Sequence, residues 1–141
     1  MINKQMIQAK IKLIQADLSQ LKRFEKLSFG QIAGDYDTHK VVERIIELVV
    51  NEAIDINQHL IGESKLGEAS FDFKESFLLL VKFGVYRKKF AEEISKSVGL
   101  RNVLVHQYRK LDEKIFYNSI KDCLKQYTQY CRYILDYLKK N

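Results

Sequence analysis

Leu100-Arg101-Asn102-Val103-Leu104-Val105-His106-Gln107-Tyr108 sets arginine, asparagine, histidine and tyrosine among small aliphatic residues. Arginine presents a planar fork that matches a phosphate and keeps its charge. Histidine gives or takes a proton near neutral pH. The pair suits RNA cleavage without a metal: one imidazole removes the 2′-OH proton, another protonates the leaving 5′ oxygen, and arginine stabilises the crowded phosphate. No metal ligand set is expected, and DNA is not expected as a substrate. On a regular helix Asn102 and His106, four apart, share a face, and Arg101 and Tyr108, seven apart, share another. Arg101 and His106 diverge by about 140°. A shared cleft therefore needs Arg101's long side chain, a break near Gly99, or a two-fold interface to which each protomer supplies both groups. The plainer alternative pairs Arg101 with Glu47, Glu52 or Asp55 and makes His106 a satisfied core histidine.

The elements that must position this segment read as helices. Six glycines and no proline in 141 residues give too little turn chemistry for an all-β domain. Ile7, Ile11, Ile14, Leu18 and Leu21 form one stripe and predict a first helix over residues 2–27. Two glycines break the period over 28–36, and Asp37 or Thr38 can cap the next helix. Val42, Ile45, Val49, Ala53, Ile56 and Leu60 mark that second long helix, ended by Gly62. ESKLGEAS, residues 63–70, reads as a loop. From Asp72 the run DFKESFLLLVKFG favours a short helix over a central strand. A further helix runs from Tyr86 through Ser97, pauses at Gly99 and resumes through Tyr108. The last begins near Asp112 and carries Tyr117, Ile120, Leu124, Tyr127, Cys131, Ile134 and Leu138 on one stripe to the end of the chain. The expectation is an all-α, antiparallel up-down bundle of about five helices in a single domain, residues 1–141.

At 46% hydrophobic and 30% charged the chain is no disordered polymer. Its net charge of +6 favours a polyanionic partner and is unevenly spread. Residues 37–75 hold four Lys/Arg against nine Asp/Glu, whereas residues 82–114 hold nine against four, around the Arg101–His106 segment. The amino-terminal residues carry lysines every few positions, with no apolar run for a signal peptide or membrane span, so a cytoplasmic protein is expected. Cys123 and Cys131, about 12 Å apart along one helix, cannot close a disulfide within it and read as reduced core residues.

RNVLVHQY fits the R-x4-H-x-Y signature of the HepT-like toxins, in the HEPN superfamily of helical bundles. VVERIIELVVNEAIDINQHL in the second helix, ESFLLL in the third, Gly99 before Arg101 and the Tyr-rich last helix are similar to that family as well, so the resemblance covers nearly the whole chain. It implies a homodimeric endoribonuclease toxin with Arg101 and His106 in an interfacial cleft, Asn102 as a supporting polar residue, RNA as substrate and no cofactor. It further implies a minimal nucleotidyltransferase antitoxin that transfers AMP onto Tyr108. A different class of function, a non-catalytic bundle that binds a nucleotide or the nucleotidyltransferase, fits the same fold.

Overall fold

A computed structural model of the chain describes residues 1–64, 71–106 and 110–141. Among these there are six α-helices and no strand: α1 (Lys4–Lys22), α2 (Phe29–Ala33), α3 (Tyr36–Gly62), α4 (Phe73–Leu79), which runs into a 3-10 turn (Leu80–Phe83), α5 (Lys88–His106) and α6 (Glu113–Lys140). The whole forms a bundle, and no described helix is long and apolar enough to cross a membrane.

The amphipathic stripes make the core. Ile7, Ile11, Ile14, Leu18 and Leu21 are all buried, as are Val42, Ile45, Val49, Ala53, Ile56 and Leu60 of α3. α3 lies at the centre and packs against α1, α2, α4, α5 and α6. Its buried Asn57 donates to Ser76 Oγ of α4 at 3.1 Å and accepts from the Tyr130 hydroxyl of α6 at 2.6 Å, which fastens three helices through one amide. On α6, Tyr127, Tyr130, Cys131, Ile134 and Leu138 are buried inside the chain's own core, while Tyr117 and Leu124 are half-buried. Both cysteines are free and buried.

Helix ends differ from the expectation where local hydrogen bonding overrides periodicity. α1 is shorter than residues 2–27 because Asn3 caps it, its side chain accepting from the Met6 amide. At the far end Arg23, Phe24 and Glu25 donate to carbonyls only three residues back, which tightens the chain out of the helix. The 28–36 segment holds a helix of its own, nucleated by a capping box between Ser28 and Gln31. A Cβ on Gly34 would stand 2.7 Å from the Gly30 carbonyl oxygen, so the turn out of α2 requires glycine there. The cap of α3 is Asp35, whose carboxylate accepts from the Thr38 amide at 3.0 Å, rather than Asp37 or Thr38. Asp72 caps α4, and Gly84 at φ 77° ends the 3-10 turn after it.

The expected pause at Gly99 is absent: α5 passes through it unbroken. A mid-helix glycine costs about 1 kcal/mol, less than the burial of Ile94 or Val98 returns at about 1.5–3 kcal/mol each. The 63–70 connection lies, from residue 65 on, outside the described residues.

Candidate active site

α5 carries the polar segment, and because it does not break, Arg101 and His106 keep the divergent directions of a regular helix. They nevertheless line one groove, together with Asn102, Gly99 and Val98 of α5 and Asp72, Phe73 and Lys74 at the start of α4. Of the three routes to a shared cleft, the length of the arginine side chain is the one used within a single chain.

The carboxylate pairs expected for Arg101 do not form. Glu47 is held by Arg44 at 3.0 Å, and Glu52 and Asp55 are both held by Lys10 of α1, at 3.0 and 3.1 Å. Arg101 instead donates from Nε to Asn51 Oδ1 of α3 at 2.8 Å and from a terminal nitrogen to Asn102 Oδ1 at 3.0 Å. Its guanidinium carbon stands 5.3 Å from the centroid of the Phe73 ring. Among the described residues no acid neutralises it, so its charge remains available to an anion in the groove. His106 is no core histidine: it is exposed on the last turn of α5. Asn102 stands beside both as an exposed amide. Tyr108 lies outside the described residues.

Two residues that hold Arg101 do not stand out in the sequence. Asn51 interrupts an otherwise apolar and acidic stretch, Val49-Val50-Asn51-Glu52, and a search for carboxylate partners passes over a neutral amide. Phe73 reads as core material in DFKESF, and only the placing of α4 beside α5 brings it to the guanidinium.

Burial sets the protonation of the core behind the groove. The Cys123 thiol is pushed up from its ordinary 9.0 to about 12, by burial first and then by the nearby charges of Asp122 and Asp17. Burial alone takes Cys131 to about 12 as well. Tyr86 and Tyr130 are held far above the ordinary phenol range, again mainly by burial. These groups are packing and carry no chemistry at neutral pH. Among the described residues no group of three or more His, Cys, Asp or Glu side chains is placed to hold a metal ion.

Known proteins resemble this chain in both sequence and fold. A tRNA nuclease HepT of Aphanizomenon flos-aquae (strain 2012/KM1/D3) is 35% identical over 132 residues, 94% of this chain and 89% of its own. An mRNA nuclease HepT of Shewanella oneidensis is 26% identical over 101 residues, 72% of this chain and 75% of its own. The fold is that of a solved structure of the tri-AMPylated Shewanella oneidensis HEPN toxin in complex with MNT antitoxin, with a TM-score of 0.83 at 24% identity over 93% of this chain and 97% of that one. The sequence profile of the ribonuclease HepT-like family matches residues 14–134, and the chain belongs to that family.

Proposed function

We propose that this ribonuclease is the toxin of a toxin–antitoxin pair and cleaves RNA without a metal ion, using Arg101 and His106. The observation that carries the reading is the groove itself, in which an arginine held, among the described residues, by two amides and an aromatic ring stands with an exposed histidine. A scissile phosphate there meets an unneutralised guanidinium. The His106 imidazole of one protomer takes the 2′-OH proton, the 2′ oxygen attacks phosphorus and the P–O5′ bond breaks. A second imidazole gives the departing 5′ oxygen its proton. The products are a 2′,3′-cyclic phosphate and a 5′-OH end.

A single chain offers one such histidine, so the mechanism calls for a homodimer. Ile120, Tyr127, Cys131, Ile134 and Leu138 of α6 are packed into the chain's own core and are not open to a second copy. Val105, 40% exposed beside His106, is apolar surface in the right place. The resemblance also supports a minimal nucleotidyltransferase as the antitoxin, with Tyr108 as the AMP acceptor. An added nucleotide near the groove brings negative charge and bulk against Arg101.

The test is incubation of the purified protein with total cellular RNA, with and without EDTA, beside His106→Ala and Arg101→Lys. Cleavage survives EDTA, leaves cyclic or 3′ phosphates, vanishes in His106→Ala and is severely reduced in Arg101→Lys, which keeps charge but loses the fork. Loss of cleavage on chelation, with 3′-OH ends, overturns the mechanism.

A further inference from the structure

Arg101 is held by two neighbouring helices, and neither contact is acidic. Nε donates to Asn51 Oδ1 of α3 at 2.8 Å, and the guanidinium lies over the Phe73 ring of α4 at 5.3 Å. We infer that Asn51 and Phe73 are positioning residues, which fix the Arg101 fork in the groove without cancelling its charge. The inference rests on the reading of Arg101 as the phosphate ligand.

An unattached arginine samples many rotamers, and binding a phosphate in one of them opposes that freedom. A carboxylate partner would remove the freedom but also most of the positive charge the phosphate needs. A neutral amide oxygen and an aromatic face remove the freedom and leave the charge intact. Both holders are themselves anchored. Asn51 sits half-buried on α3, the helix against which every other helix packs. Phe73 opens α4 behind the Asp72 capping box, and its carbonyl accepts from Ser76 Oγ at 2.6 Å. Ser76 is in turn bound to the buried Asn57 at 3.1 Å. The chain of contacts thus runs from the core to the ring under the guanidinium.

Donor accounting gives the result its direction. A guanidinium has five N–H groups. Asn51 takes the one on Nε, and Asn102 takes one from a terminal nitrogen. Among the described residues the other three have no acceptor, and they belong to the two terminal nitrogens, the end of the fork that grips a phosphate in bidentate fashion.

The experiment compares Asn51→Leu, Phe73→Leu and Asn102→Ala with the unaltered protein, reading the Arg101 Nε–H resonance by nuclear magnetic resonance and RNA cleavage in parallel. The unaltered protein shows a sharp Nε–H signal that exchanges slowly with water, against the fast exchange of the exposed Arg132. Asn51→Leu abolishes that protection with the amide spectrum otherwise preserved, and lowers kcat by roughly tenfold to a hundredfold with little change in KM. Asn102→Ala leaves the Nε–H protected, because its contact is to another nitrogen. Phe73→Leu weakens protection and kcat together, so the conclusion does not depend on one variant folding. Fast exchange of the Arg101 Nε–H in the unaltered protein, or an unchanged kcat in Asn51→Leu, overturns the positioning role alone. Undiminished cleavage by Arg101→Ala overturns the reading of the site and the positioning role with it.

Discussion

The Tyr130 hydroxyl stands 2.6 Å from Asn57 Oδ1 at the centre of the bundle, with the Ala53 carbonyl also within reach at 3.1 Å. Asn57 is fully buried, and its other end serves Ser76. Tyr130→Phe removes the donor and leaves Oδ1 without one where no water reaches. The expected cost is about 1–3 kcal/mol of folding stability, read from chemical denaturation. A loss below about 0.5 kcal/mol would show that the Tyr130–Asn57 contact is not what satisfies the amide.

Gly99 separates stability from function. A Cβ there meets nothing within 4 Å, and α5 is regular through it. Gly99→Ala is expected to raise stability by up to about 1 kcal/mol, measured as a higher melting temperature. Gly99 also lines the groove with Arg101 and His106. Gly99→Leu should therefore fold normally and lose about tenfold or more in cleavage, by filling the space an RNA strand uses. Full cleavage by the leucine variant would move the substrate path away from α4.

Repetition makes the bundle legible. The five-residue stripe of α1 and the six-residue stripe of α3 are buried as their spacing demands, because a helix in a small bundle has one place to put an apolar face. What escapes depends on single side chains. The Ser28–Gln31 capping box and the Asp35 cap are local hydrogen-bond motifs that an apolar period does not register. Gly99 has less breaking power inside a packed helix than its type suggests. In the site, the motif residues Arg101, Asn102 and His106 stand out by type. Asn51 and Phe73 acquire meaning only through the packing of α3 and α4 on α5, which no spacing along the chain encodes.

Stability should fall in alkali. Cys123 and Cys131 are held as thiols up to about 12 in the fold, against an ordinary 9.0 when unfolded. Below pH 9 both states carry the proton and the contribution is fully present. Between pH 9 and about 12 the unfolded chain releases protons that the folded chain keeps, so stability declines as pH rises through that window. Urea midpoints are expected to stay level from pH 7 to about 8.5 and to drop steadily above pH 9. In Cys123→Ala/Cys131→Ala the decline starts about one pH unit later, where the buried tyrosines take over. A midpoint that stays level to pH 11 would contradict the burial of both thiols.

If the groove is shared between two copies, the apolar surface beside His106 is part of the contact. The unaltered protein should sediment as a dimer at micromolar concentration. Val105→Glu places a charge at that contact and is expected to yield folded monomers that do not cleave RNA. A Val105→Glu dimer with full activity would put the interface elsewhere, and an active monomer of the unaltered protein would remove the two-imidazole mechanism.

The role proposed for Tyr108 is that of AMP acceptor, as the resemblance to the HepT-like signature implies. Tyr108 comes two residues after His106 and seven after Arg101 in the sequence. A packing role would be served as well by phenylalanine, whereas an AMP acceptor needs the phenolic oxygen, which attacks the α-phosphate of ATP as pyrophosphate leaves. Tyr108→Phe keeps the ring and removes only that nucleophile. It should fold, cleave RNA as the unaltered protein does, and escape silencing by the nucleotidyltransferase and ATP. Mass spectrometry after the same incubation should show added AMP on the unaltered chain and none on the variant. Equal modification of both would place the acceptor at another residue and leave Tyr108 as packing.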